Sequence, residues 1–123
     1  MTPLTIPTSE EIHPYLTEIV HATLHHTLSL LAAARDNRKF ELISAVQHGA
    51  DMNASRLPGG NSSLHYAVLN GNIPMAKYLI VHGTDINTRN IDGNSALHLA
   101  IQKFNKPMIF VLLANGADPR ICE

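Results

Sequence analysis

Tryptophan is absent from this 123-residue chain, aromatic residues make up only 5% of it, and cysteine occurs once. The lone cysteine, Cys122, excludes an intramolecular disulfide framework and points to a reducing compartment, the cytoplasm of the producing cell or of a host cell. No apolar run approaches the roughly 18 residues that a membrane-spanning helix needs. Neither charge is in surplus: nine basic residues stand against ten acidic ones, so neither nucleic acid nor an anionic membrane is expected as a partner. Signatures of chemistry are missing too. Gly59 and Gly60 fit neither a G-x-x-x-x-G-K-[ST] phosphate loop nor a G-x-G-x-x-G turn. With no nucleophile–base set either, no enzyme activity and no cofactor are expected. The first eight residues hold two prolines and no positive charge, unlike a secretory signal, and are expected to form a disordered tail, residues 1–8.

What is present is apolar enough to fold. Hydrophobic residues at 45% with charged residues at 15% suit one globular unit of this length. The dominant signal is a period. HGAD at His48–Asp51, HGTD at His82–Asp85 and NGAD at Asn115–Asp118 place their glycines 34 and 33 residues apart. The same offsets superimpose Leu64-His65-Tyr66-Ala67 on Leu97-His98-Leu99-Ala100, and Leu30-Leu31-Ala32-Ala33 on both. Each copy reads as a turn, a short helix, a break and a second helix ended by glycine. Gly60-Asn61-Ser62 and Gly93-Asn94-Ser95 are turns leading into a serine able to cap a helix. Second helices are expected from Pro74 to His82 and from Pro107 to Asn115, with proline in the first turn and Gly83 and Gly116 just past the end. Helices this short are marginal alone, so the copies must stack.

These features resemble the ankyrin-repeat family, whose pattern of about 33 residues joins a β-turn to two antiparallel helices around a T-P-L-H-x-A signature. The resemblance covers about three quarters of the chain and is closest from Arg56 to Thr88, where Ser62 and Ser63 stand in place of Thr-Pro. It implies an all-α solenoid of about three helix-turn-helix repeats with β-turn fingers, over residues 28–54, 55–88 and 89–123. The first copy lacks its turn. Residues 9–27, with Ile12, Leu16, Ile19, Val20 and Leu24 at helical spacing, are expected to form an N-terminal capping helix. It would begin at a Thr8–Glu11 capping box or, alternatively, at Pro14. The resemblance also implies that His65 and His98 hydrogen-bond the turn and tie neighbouring repeats. His48 and His82 fall in last helical turns, where a ring suits the negative end of the helix dipole. His21 and His25, four apart with His26 beside them, offer two metal-ligand positions where three or four are usual, and no metal is assigned.

By the same resemblance the partner is another protein, bound on a concave surface of fingers and first helices. The residues carried over are Arg35 and Asp36 in the first copy and Arg56, Leu57, Pro58, Asn61, Leu69 and Asn70 in the second. The third contributes Arg89, Ile91, Asp92, Asn94, Gln102 and Lys103. Arg35, Arg38 and Lys39 form a small basic cluster suited to an acidic segment. Leu57 and Asn90 replace the family's usual aspartate in the turn. Two further readings stand beside simple binding: an effector of bacterial or viral type acting on a host protein, and a structural module. In the latter the chain is a monomer or weak homo-oligomer joined through Met108, Phe110 and Ala114 of the last copy.

Overall fold

The computed structural model describes residues 9–56 and 60–121, with side chains described from 22 to 54 and from 60 to 120. The tail at 1–8, Thr8 of the capping box, Leu57, Pro58 and Cys122 lie outside the described residues, as do the side chains of His21 and Arg56. Six helices follow in pairs: α1 (Ser9–Arg35) with α2 (Lys39–Gln47), α3 (Ser63–Leu69) with α4 (Ile73–Val81), and α5 (Ala96–Gln102) with α6 (Lys106–Ala114). A short antiparallel ladder, β1 (Ser55–Arg56) and β2 (Asn61–Ser62), sets Ser55 opposite Ser62 and Arg56 opposite Asn61, and makes the finger of the second copy.

Local chemistry fixes the helix ends. Ser62 and Ser95 cap α3 and α5 by accepting the backbone N–H of His65 and His98. Asn72 and Asn105 do the same for α4 and α6, each with proline in the first turn. Beyond α4, Gly83 lies at φ +97°, with nothing within 4 Å of the place a β-carbon would take. Its glycine is therefore required by the left-handed backbone rather than by crowding.

The expected boundary between a capping helix at 9–27 and a first copy beginning at 28 is absent: α1 runs through it unbroken for 27 residues. No glycine, proline or capping pattern lies between Tyr15 and Ala34 to interrupt it. The C-terminal end of α1 thus serves as the first helix of the first copy. Its Thr27 hydroxyl accepts the N–H of Asp51 at 2.9 Å. At the two junctions between copies Asn53 Oδ1 accepts from Asp85 N–H at 2.6 Å and Asn87 Oδ1 from Asp118 N–H at 2.9 Å, so side chains of one copy anchor the turn of the next.

The first helices lie side by side, α1 against α3 and α3 against α5, with α4 beside α6. Equivalent side chains form layers through the core: Leu30, Leu64 and Leu97, with Ala33, Ala67 and Ala100 beside them, and Met75 with Met108 and Leu79 with Leu112, all essentially solvent-free. Each buried leucine contributes about 1.5–3 kcal/mol against exposure. Met108 is among them, completely buried, and cannot serve as an oligomer contact; it lies four residues before Leu112 on the inward stripe of α6, away from the exposed Phe110.

The two ends of the stack differ. In the first copy Glu41, Ala45 and Ser44 hold the positions of Met75, Leu79 and Tyr78. They line, with His25, His26, Ser29 and His48, a cleft of about 300 Å³ between α1 and α2. His26 stacks on His48 at 5.1 Å between ring centroids, and His25 meets His26 edge-on at 5.4 Å. This end is polar. At the other end Ile101 is 45% and Leu113 46% exposed.

Candidate protein-interaction site

The finger of the third copy, Arg89 to Asn94, is shaped by one amide. Asn90 Oδ1 accepts the N–H groups of Asp92 and Asn94, both at 3.0 Å, while its Nδ2 donates across to Asn61 Oδ1 of the preceding finger at 3.0 Å. The asparagine standing where the family has aspartate therefore keeps the turn and adds a donor that a carboxylate lacks. The fingers also touch through backbone. Gly60 has φ +65°, and a β-carbon there would stand 3.1 Å from the amide nitrogen of Ile91.

His65 locks the same junction from inside. Its Nδ1 accepts Ser62 N–H at 3.1 Å, completing a capping box, so the proton sits on Nε2, which donates to Asn94 O at 2.9 Å. Burial pushes this imidazole below its ordinary value, against the opposite pull of the Asn94 and Thr88 carbonyls. His65 thus ties the second copy to the finger of the third, the role the resemblance implied. His98, its counterpart, has no ring hydrogen bond among the described residues. His48 and His82 donate from Nδ1 to the carbonyls of Ser44 and Tyr78, four residues back, at 2.7 and 2.8 Å. They serve as helix-end caps.

The candidate partner residues divide by what else they do. Asn61 and Asn94 are half-buried and hold the fingers together, Asn70 donates to the carbonyls of Ala34 and Arg35, and Leu69 is half-buried against the core. Exposed and free of such duties are Arg89, Asp92, Gln102 and Lys103, with Ile91 at 63% exposure. Arg35 and Asp36 are exposed but bonded to each other at 3.0 Å, an arrangement that holds the Asp36 carboxyl below the usual range, and Arg38 pairs with Glu41 at 3.1 Å. The basic cluster is therefore largely answered by its own carboxylates. Among the described residues no group of three His, Cys, Asp or Glu side chains is placed to hold a metal ion. Nor is any helix among them long and apolar enough to cross a membrane.

A family profile for ankyrin repeats, three copies, matches residues 30–121. The chain belongs to the ankyrin-repeat family. It is also similar to Potassium channel AKT3 of Oryza sativa subsp. japonica, 36% identical over 60 residues, which is 49% of this chain and 7% of that protein. The chain thus spans a small fraction of the length of this relative. Ankyrin repeats are in general protein-interaction modules.

Proposed function

We propose that this ankyrin-repeat chain is a non-catalytic module that binds another protein on the concave surface of its second and third fingers and first helices. Ile91 carries the reading. It is 63% exposed on a turn that Asn90 already fixes, so folding gains little from an aliphatic side chain there. Ringed by the exposed Arg89 and Asp92, it has the make-up of an interface anchor: an apolar contact inside a polar rim. Gln102 and Lys103, exposed at the end of α5, supply polar groups from the first helix. The single cysteine and the near-neutral charge suit work in a reducing cytoplasm against a protein recognised by shape and local contacts.

The test begins with capture from cytosolic extract, identification of the retained protein, and titration of that purified protein against wild type and an Arg89→Glu, Ile91→Glu variant. Unchanged helicity by circular dichroism is required of the variant. Binding weakened at least about 30-fold, the loss of roughly 2 kcal/mol that marks a hot spot, is the expected result. Equal affinity for both would remove the fingers as the site.

A further inference from the structure

We propose that His26 and His48 hold a divalent transition-metal ion of the zinc class in the cleft between α1 and α2. The site is separate from the fingers and independent of the reading above. His26 lies on α1 and His48 caps α2, so helical spacing, which singles out His21 and His25, gives no hint of the pair. The fold brings them together. Their ring centroids stand 5.1 Å apart, and two imidazoles on one tetrahedral ion, with nitrogens about 2.0–2.1 Å from it, hold their centroids about 5 Å apart. The rings face each other in the metal-free chain, so an ion requires one of them to turn edge-on, while the spacing of the helices already suits it.

The surroundings prepare the pair. His48 donates from Nδ1 to the Ser44 carbonyl at 2.7 Å, which leaves Nε2 with the lone pair. A ligating imidazole is ordinarily backed in this way, by an acceptor on its other nitrogen. Beside His26, the Thr27 hydroxyl accepts the Asp51 N–H at 2.9 Å and so pins α1 to the turn that follows His48. That bond steadies the distance between the two rings.

The cleft is room that the other copies fill. Glu41 and Ala45 stand where Met75 and Leu79, and Met108 and Leu112, are buried, and about 300 Å³ is left open between polar walls. Apolar burial is forgone here, which folding alone does not favour. Among the described residues no third ligand is in position in the metal-free chain. Glu41 lines the same cleft, and its carboxylate is held at 3.1 Å by Arg38 in an exposed pair, a bond of a kind that costs little to break. Turned inward, it adds the oxygen donor that zinc accepts beside imidazole, and water supplies the remainder.

His82 provides the internal control. It caps α4 through the same bond, Nδ1 to the Tyr78 carbonyl at 2.8 Å, but its ring lies against the Tyr78 ring at 4.1 Å rather than against a second imidazole. Isothermal titration of the metal-free chain with zinc chloride at pH 7.5, with thermal melts alongside, tests the proposal. Wild type should take up one zinc per chain with a Kd in the micromolar range. Zinc should also raise its melting temperature, since the ion binds the folded chain, where the imidazoles meet, more tightly than the unfolded one. His26→Gln and His48→Gln should each weaken binding at least about 10-fold, the smallest loss that even a supporting hydrogen bond brings at a metal site. His82→Gln should leave it unchanged. Circular dichroism checks each fold, and His26→Gln, which removes no helix cap, keeps the test open if His48→Gln unfolds. A wild type that takes up no zinc, a folded His26→Gln or His48→Gln variant that binds like wild type, or binding abolished only by replacing His21 or His25 would each overturn the proposal.

Discussion

His65 joins two elements through one ring: it accepts from the cap of its own helix and donates into the next finger. That arrangement needs a neutral ring. Once Nδ1 carries a proton it faces Ser62 N–H donor to donor. Because burial holds the folded-state value below the ordinary 6.5, the unfolded chain takes up the proton first as pH falls. The stability supplied by the neutral ring is therefore whole above about pH 6.5, declines as pH drops from there towards the folded-state value, and levels off beneath it. Urea unfolding of wild type at pH 7.5 and 5.5 should show the loss. His65→Asn should cost about 1–3 kcal/mol at pH 7.5, the range for leaving buried polar groups unpaired, and lose less on acidification. An identical slope in both proteins would assign it to other groups.

At the level of elements, the ends of the helices were legible in the sequence and their company was not. Ser62, Ser95, Gly83 and the prolines of α4 and α6 act through hydrogen bonds or backbone angles within a few residues, so their meaning is written locally. The burial of Met108 and the bond from Asn90 to Asn61 depend on what stacks alongside, whereas the unbroken α1 follows from the lack of a breaker between Tyr15 and Ala34. Of these, Met108 was readable: its gapless alignment with Met75 places it on the core stripe. Among the finger residues, spacing alone did not separate the bracing amides Asn61, Asn70 and Asn94 from the exposed Ile91, since all occupy turn or helix-end positions. The turn from α5 to α6 yields a prediction of gain. Phe104 holds a left-handed angle that costs a bulky residue about 1–2 kcal/mol, and asparagine already serves at the equivalent Asn37. Phe104→Asn should raise stability by about 0.5–1 kcal/mol in a thermal melt. A lowered melting temperature would show that the phenyl ring contributes packing within the monomer.

Among the described residues the helices of each copy pack chiefly on those of the neighbouring copy, so damage should stay where it is made. Leu97→Ala should cost about 3 kcal/mol from transfer and cavity together, with native-state hydrogen exchange showing α5 and α6 opening while α3 keeps its protection. Equal loss in every helix would mean that the stack melts as one unit. The period in the sequence made this layered plan readable. The bonds from Asp85 to Asn53 and from Asp118 to Asn87 recur at successive junctions and bear any load in series. Stretched lengthwise, such a molecule yields at its weakest turn before the others. It lengthens in steps of about 33 residues, roughly 110 Å of extended chain each, and recoils in the same increments when released, which makes it a spring with countable turns.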